Sequence, residues 1–156
     1  MFKVEDLMMI RDTEYKGELN WRANLWGDNS WLFIHKEEGI VAEIVLLDDF
    51  SCMKVDDFEV RPEIRKNGIG RVVIKLCMDY ALEQDKKGLT GESTDFAMPF
   101  WSKLGADLEI EDEDDECFNC DNNCEECSLY NKNEVNLTPF ILKSRSFYSY
   151  YASRVK

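Results

Sequence analysis

The stretch VRPEIRKNGIGR, residues 60–71, constrains the fold of this chain more than any other. It follows a run typical of a strand and precedes one typical of a helix, and Gly68 and Gly70 allow close approach to its backbone. The first amides of a helix lack internal partners, and together with the helix dipole they favour a bound anion. Three basic residues belong to the same loop: Arg65, Lys66 and Arg71. The loop therefore predicts a phosphate or pyrophosphate site, with a plain strand-to-helix turn as the alternative.

The pattern of apolar and turn residues around this loop predicts a mixed α/β fold. Three strands are expected before it, in WLFIHK, IVAEIVLLDD and CMKVDDFEV, with a turn at EEG. RVVIKLCMDYALEQ predicts a long helix, because its apolar residues recur at helical spacing, and Lys86, Lys87 and Gly88 are expected to end it. LTGEST predicts a short strand, and DFAMPFWSKLG predicts a helix that begins at Asp95 and ends at Gly105.

The two ends of the chain carry weaker patterns. Apolar residues at helical spacing predict a helical segment within the first 30 residues. EVNLTPFILKS and SFYSYYASRV predict a closing β-hairpin. The order of elements implies a mixed sheet with helices packed on it.

Composition and charge argue against several classes of protein. No apolar run approaches the roughly 20 residues of a membrane helix, and the charged N-terminus is unlike a signal peptide. We therefore expect a cytoplasmic protein that does not bind membranes. The net charge is −13, and ten of the 32 acidic residues lie in residues 109–126, which contain no Lys or Arg. Because the chain lacks a basic face, nucleic acid is not an expected partner.

The same acidic segment contains a C-x2-C-x3-C-x2-C pattern, formed by Cys117, Cys120, Cys124 and Cys127. Each C-x2-C pair can chelate one cation, and four thiolates form a tetrahedral zinc site. A cytosolic chain does not keep such cysteines as structural disulfides. Only three residues separate the two pairs, which is tighter than common zinc motifs. The pattern predicts zinc ahead of an iron–sulfur cluster, with an acidic loop of reduced thiols as the alternative.

Two motifs together resemble the signature of the GNAT N-acetyltransferase superfamily. In FEVRPEIRKNGIGRVVIKLCMDYA, the signature R/Q-x-x-G-x-G/A is matched by Arg65, Gly68 and Gly70. Further along the chain, AMPFWSKLGA resembles the second motif, A-x-x-F-Y-x-K-L-G-F. The resemblance covers residues 53–107. It implies a central mixed, mostly antiparallel sheet that is splayed around a coenzyme A cleft and flanked by helices.

The resemblance also implies where acetyl-CoA lies. Its pyrophosphate is expected on the loop residues Arg65, Lys66, Asn67, Gly68, Ile69, Gly70 and Arg71. Its pantetheine arm is expected along the backbone of Phe58, Glu59 and Val60. The remaining expected cofactor contacts are Thr94 (or Ser93), Phe100 and Trp101.

The implied reaction is attack on the thioester by a primary amine of a small molecule or a protein, whose identity the sequence does not show. In many family members a carboxylate on the strand before the loop is the base, and Asp56, Asp57 and Glu59 are available here. Strand alternation places Asp57 and Glu59 on one face and Asp56 on the other, and we favour Asp57. The alternative is that all three are surface charges.

Two positions depart from the family pattern. The usual tyrosine, proposed as the acid for the leaving thiolate, falls at Trp101, whose indole cannot supply that proton. The usual asparagine falls at Thr94. The thiolate would leave without an acid, or take a proton from Tyr80, Tyr130 or a water. A second hypothesis is therefore a catalytically impaired acyl-CoA-binding domain with a regulatory, metal-responsive or interaction role.

The domain prediction is one GNAT-like domain over residues 1–156, as a monomer or homodimer. Residues at about 109–131 are predicted to be an acidic, Cys-rich insertion, because the family usually has a short link there. This segment has few apolar residues for a core of its own, and a metal would supply the missing order.

Overall fold

The computed structural model describes residues 3–21, 29–65, 68–94, 97–109 and 137–154. Within these ranges, seven strands form one sheet: β1 (Leu7–Arg11), β2 (Ser30–His35), β3 (Gly39–Asp49), β4 (Cys52–Val60), β5 (Gly88–Thr94), β6 (Asp107–Leu108) and β7 (Leu137–Lys143). The same ranges contain three α-helices: α1 (Ile69–Glu83), α2 (Met98–Lys103) and α3 (Ser144–Arg154). The strand order is β1-β2-β3-β4-β5-β7-β6. Only β4 and β5 are parallel neighbours in this sheet, which confirms the predicted mixed, mostly antiparallel fold.

Helix α1 packs its apolar stripe on the sheet, as its spacing predicted. Its buried residues are Ile69, Val72, Val73, Ile74, Cys77, Met78 and Ala81. They belong to one core with strand residues that include Ile44 of β3, Val55 of β4 and Leu89 of β5. Complete burial of such a side chain contributes about 1.5–3 kcal/mol. The helix therefore fixes β4 and β5 together at the point where they are neighbours.

Helix α1 ends at Glu83, one residue before the end of the predicted helical run at Gln84, but Gly88 is not the residue that stops it. Asp85 takes a left-handed conformation, with φ of 62°, directly after the helix. Gly88 begins β5, where an added Cβ would lie 2.3 Å from the carbonyl oxygen of Leu142. This glycine is therefore required by the close packing of β5 and β7 and does not end the helix.

The N-terminal helix prediction is wrong for Leu7–Arg11, although single 3-10 turns flank this segment at Val4–Asp6 and Asp12–Glu14. Residues Leu7–Arg11 form an edge strand that pairs antiparallel with β2 from His35 to Trp31. Leu7 is buried and Met8 is exposed, as expected for neighbours on a strand and not for two residues of one helix face. Pairing with β2 satisfies backbone groups of the segment, and this tertiary contact overrides weak helical spacing.

The closing hairpin is correct in its first half and wrong in its second. Strand β7 forms as predicted, but residues 146–154 of SFYSYYASRV lie within α3, and Val155 lies outside the described residues. Strand β7 already has β5 on one side and β6 on the other, so a further strand has no free edge to join. Phe147, Tyr148 and Tyr151 lie at helical spacing, and Phe147 is fully buried. Across the part of the chain that is described, no helix is both long and apolar enough to cross a membrane.

Candidate functional site

The site lies where β4 and β5 stop pairing. These strands share three residue pairs, from Met53 with Leu89 to Val55 with Gly91, although β4 has nine residues and β5 has seven. Beyond these pairs, the remaining residues of both strands line a cavity of about 700 Å³, which we call the cleft. The splayed sheet that the sequence predicted is therefore present.

A β-bulge in β4 shapes one wall of the cleft. Val45 pairs with Asp57 and Leu46 with Val55, so Asp56 is the extra residue of the bulge. Glu59 pairs with Glu43 of β3. Because Glu43 and Val45 are two residues apart, Asp57 and Glu59 share a face of the sheet, as predicted. Asp56 was predicted to lie on the opposite face by regular alternation, and the bulge interrupts that alternation at this residue.

The loop before α1 forms one end of the cleft, and its two glycines have different roles. Gly68 caps α1 with φ of +78°, a conformation that L side chains avoid. An added Cβ on Gly70 would lie 2.8 Å from Cε1 of Phe100, so the Phe100 ring packs directly on the first turn of α1. Gly68 therefore supplies the turn, and Gly70 supplies the space for an aromatic ring.

Arg71 indicates what this end of the cleft can bind. Its side chain lines the cleft, and its Nε is buried without a hydrogen-bond partner among the described residues. An unpaired buried donor costs about 1–3 kcal/mol, and more in a charged group. This nitrogen therefore fits an external acceptor such as a phosphate oxygen. Arg65 lines the cleft too, whereas Lys66 and Asn67, which were also predicted to bind the anion, lie outside the described residues.

The three predicted carboxylates all line the cleft, but their environments differ. Arg65 donates from Nη2 to Oε1 of Glu59 at 2.5 Å and from Nε to the carbonyl of Val60 at 2.9 Å. Asp57 accepts one hydrogen bond at Oδ1 from the backbone N–H of Phe58, at 2.9 Å. Because the Glu59 carboxylate is already ion-paired, Asp57 is better placed than Glu59 to accept a proton.

The second motif forms the opposite wall of the cleft. Trp101 is only 4% exposed, stacks on Phe140 with ring centroids 4.1 Å apart, and meets Phe100 edge-on at 5.0 Å. Thr94 accepts a hydrogen bond at Oγ1 from the N–H of Ala97 at 3.3 Å, at the entrance to α2. Ser93 is buried and donates to the carbonyl of Thr94 at 2.8 Å. Both hydroxyls thus line the cleft with local partners.

Comparison with known protein families agrees with this geometry. The model of the acetyltransferase (GNAT) family matches residues 3–106, about two thirds of the chain. The chain belongs to this family. A search of curated proteins finds no match.

Solved structures of GNAT enzymes share the fold at low sequence identity. One is the ribosomal-protein-S18-alanine N-acetyltransferase from Escherichia coli, with a TM-score of 0.54, 11% identity and coverage of 76% of this chain and 71% of that one. Another is N-acetylglutamate synthase from Neisseria gonorrhoeae in complex with coenzyme A and N-acetyl-glutamate, with a TM-score of 0.53, 17% identity and coverage of 74% of this chain. The match spans only 26% of that synthase. At such identities the likeness shows the fold alone.

The structure adds residues to the GNAT cleft that the sequence did not identify as site residues. Among them are Lys54, Glu92, Lys103, Phe140 and Tyr150. Tyr150 was missed because its segment was predicted to be a strand. The helical spacing of Phe147, Tyr150 and Tyr151 is the signal that could have found it.

Other predicted residues do not reach the cleft or cannot be placed. Tyr80, one of the suggested proton donors, is not among the lining residues and packs against Trp31 with ring centroids 4.7 Å apart. Tyr130 and the four cysteines Cys117, Cys120, Cys124 and Cys127 lie outside the described residues. Within the described ranges, no group of three or more His, Cys, Asp or Glu side chains could hold a metal. The zinc site therefore stays a prediction.

Proposed function

We propose that this protein is an acetyl-CoA-dependent N-acetyltransferase that acts on a primary amine of a small molecule or a protein. One observation carries the proposal. The splayed β4–β5 pair forms a single cleft. One end of it has the glycine-capped start of α1 and the unpaired buried Nε of Arg71, and the bulge in β4 presents carboxylates. Membership of the GNAT family supports it.

The residues of the cleft fit a CoA thioester, which would supply the acetyl group. The first-turn amides of α1 and the Arg71 guanidinium suit a pyrophosphate, and charge-assisted hydrogen bonds of this kind are among the stronger ones. The backbone of residues 58–60 lies beyond the last β4–β5 pair, so it has donors and acceptors to offer an extended pantetheine arm. The Val60 carbonyl accepts one bond from Arg65 and keeps a second lone pair.

Asp57 is the proposed base for the reaction. An attacking amine must be neutral, and a carboxylate in the cleft can take its proton directly or through a water. Such a base contributes about 10²–10⁴-fold to the rate, in addition to the gain from holding two substrates together. Asp57 shares a face of the sheet with Glu59, whose carboxylate is ion-paired with Arg65.

The second candidate is an acyl-CoA-binding GNAT domain with impaired catalysis and a regulatory, metal-responsive or interaction role. Trp101 is the observation that favours it. Its indole occupies the position of the usual tyrosine and is stacked on Phe140 in the core. Such a domain would bind CoA but would release no thiol when amines are supplied.

The two candidates are separated by measuring CoA binding calorimetrically and thiol release with a panel of amines and peptides. Asp57→Asn should lower kcat by about 100-fold or more with unchanged CoA affinity, because the asparagine oxygen can still accept from Phe58. Asp107→Asn on β6, which is exposed and outside the cleft, is the matched control. Binding without thiol release favours the second candidate, and a protein that binds no CoA contradicts both.

A further inference from the structure

Trp101 stands where the second motif usually has a tyrosine, so the cleft has no proton donor at that position. The indole has a single N–H that does not ionise at neutral pH, and the ring is held by stacking on Phe140. A thiolate that leaves a thioester has a pKa like that of a free thiol, about 8.5. It would therefore depart more easily if a weak acid protonated it.

Helix α3 is firmly attached beside the cleft and can present such an acid. The N–H of Ser144 donates to the carbonyl of Lys87 at 3.1 Å, at the start of the helix. Phe147 is fully buried in the core. Tyr148 donates a hydrogen bond of 2.5 Å to Oδ1 of Asp79, on α1. These contacts join α3 to the sheet, the core and α1, so residues on its remaining face have defined positions.

Tyr150 follows, by one helical turn, a close approach between α3 and the segment just after α2. An added Cβ on Gly105, just after α2, would lie 3.3 Å from the carbonyl oxygen of Ser146, so the start of α3 touches the end of α2. Residues four apart share a helix face, which places Tyr150 one turn beyond this contact on the same side. Tyr150 and Trp101 both line the cleft.

We propose that Tyr150 is the proton donor to the leaving thiolate. As the amine nitrogen bonds to the acetyl carbon, the carbon–sulfur bond breaks and the sulfur takes both electrons. The Tyr150 hydroxyl gives its proton to that sulfur, the amine proton passes to Asp57 or to a water, and the tyrosinate is reprotonated from solvent. This inference rests on the proposed acetyltransferase function.

The other cleft side chains suit this role less well. Asp57 is already assigned the role of base, and an arginine does not give up its proton. Two lysines line the cleft, Lys54 and Lys103. Lys103 is exposed on α2, and Lys54 belongs to the part of β4 that is still paired with β5. Of the cleft residues in the described ranges, Tyr150 is the one with a phenolic hydroxyl.

The test is Tyr150→Phe, which keeps the ring and removes the hydroxyl. With an amine found by the thiol-release screen, kcat should fall by about 100-fold or more while KM for acetyl-CoA stays unchanged. A second measurement needs no acceptor. The thiol of bound CoA, followed by its ultraviolet thiolate absorbance, should titrate at a higher pH in Tyr150→Phe than in the wild type, because the thiolate loses a hydrogen-bond donor.

The controls separate this role from others. Tyr80→Phe makes the same change outside the cleft and should alter neither measurement. If Tyr150→Phe leaves kcat and the thiol titration unchanged, or if Lys103→Met causes the loss instead, the proposal is wrong. A loss of CoA affinity in Tyr150→Ala with normal kcat in Tyr150→Phe would mean that the ring only packs on the nucleotide. If the wild type binds CoA but acetylates no amine, the titration alone decides, whereas absence of CoA binding rejects the acetyltransferase function itself.

Discussion

The contact between Gly70 and Phe100 leads to a quantitative prediction. In Gly70→Ala, the new Cβ would stand 2.8 Å from Cε1 and 3.2 Å from Cζ of Phe100. Carbon atoms in contact prefer about 3.5–4.0 Å, so the ring must retreat by about 1 Å. Overpacking of this kind costs about 1–3 kcal/mol, and the better helix propensity of alanine offsets up to about 1 kcal/mol. We expect a net destabilisation of about 1 kcal/mol, which lowers Tm by about 2–4 °C in a chain of this size.

The displaced ring should also weaken cofactor binding. Phe100 lines the cleft next to the first turn of α1, so its movement narrows the space beside the proposed pyrophosphate site. We expect the CoA affinity of Gly70→Ala to fall about tenfold, or about 1.4 kcal/mol. Isothermal calorimetry measures the affinity, and thermal unfolding followed by circular dichroism measures the stability.

A double-mutant cycle tests whether the ring is the cause. Phe100→Leu lacks Cε1 and Cζ, the two atoms that the new Cβ meets, so Gly70→Ala should cost little in that background and the coupling should be about 1 kcal/mol. Gly68→Ala is the matched control. Its Cβ would have no neighbour nearer than 3.5 Å, so its cost comes from the backbone at φ of +78° and should be the same in both backgrounds. Equal losses for Gly70→Ala with and without the Phe100 ring would refute this account.

Three other changes test separate parts of the molecule. Arg71→Leu should weaken CoA binding about tenfold or more and reduce its salt dependence; calorimetry at low and high salt checks this, and an unchanged affinity contradicts the anion site. Tyr148→Phe should lower stability by about 1 kcal/mol at neutral pH, because it removes the bond to Asp79. Burial and, after it, the bond to Asp79 raise the pKa of Tyr148 in the folded protein. The unfolded chain therefore loses this proton first, at a pH of about 10, and the free energy of unfolding of the wild type falls as the pH rises further. Urea unfolding across this pH range should show a shallower fall in Tyr148→Phe. Protein purified under reducing conditions should contain one zinc per chain on Cys117, Cys120, Cys124 and Cys127, and elemental analysis that finds no metal with four titratable thiols there would reject the site.

The sequence alone predicted the elements that depend on residues close together in the chain. The spacing of Val72, Val73 and Cys77 identified α1, and the glycines of the loop identified its start. Helical periodicity and the conformational freedom of glycine are local properties, so they can be recognised without knowledge of the partners. The same locality explains the errors at both ends. The weak helical spacing of Leu7–Arg11 is overridden by pairing with β2. In Ser144–Arg154 helical and strand-like features coexist, and the free edge that a strand would need is already taken by β6.

What lies inside the cleft was decided by contacts between distant residues. The sequence placed Asp57, Arg65 and Trp101 at the site through their motifs, but it showed neither the bulge at Asp56 nor the ion pair between Glu59 and Arg65. Tyr150 belongs to the cleft because α3 packs on the core through Phe147 and bonds to α1 from Tyr148 to Asp79, two residues that are 69 positions apart. No short-range pattern encodes such a contact, because its free energy exists only after the sheet and the helices have come together.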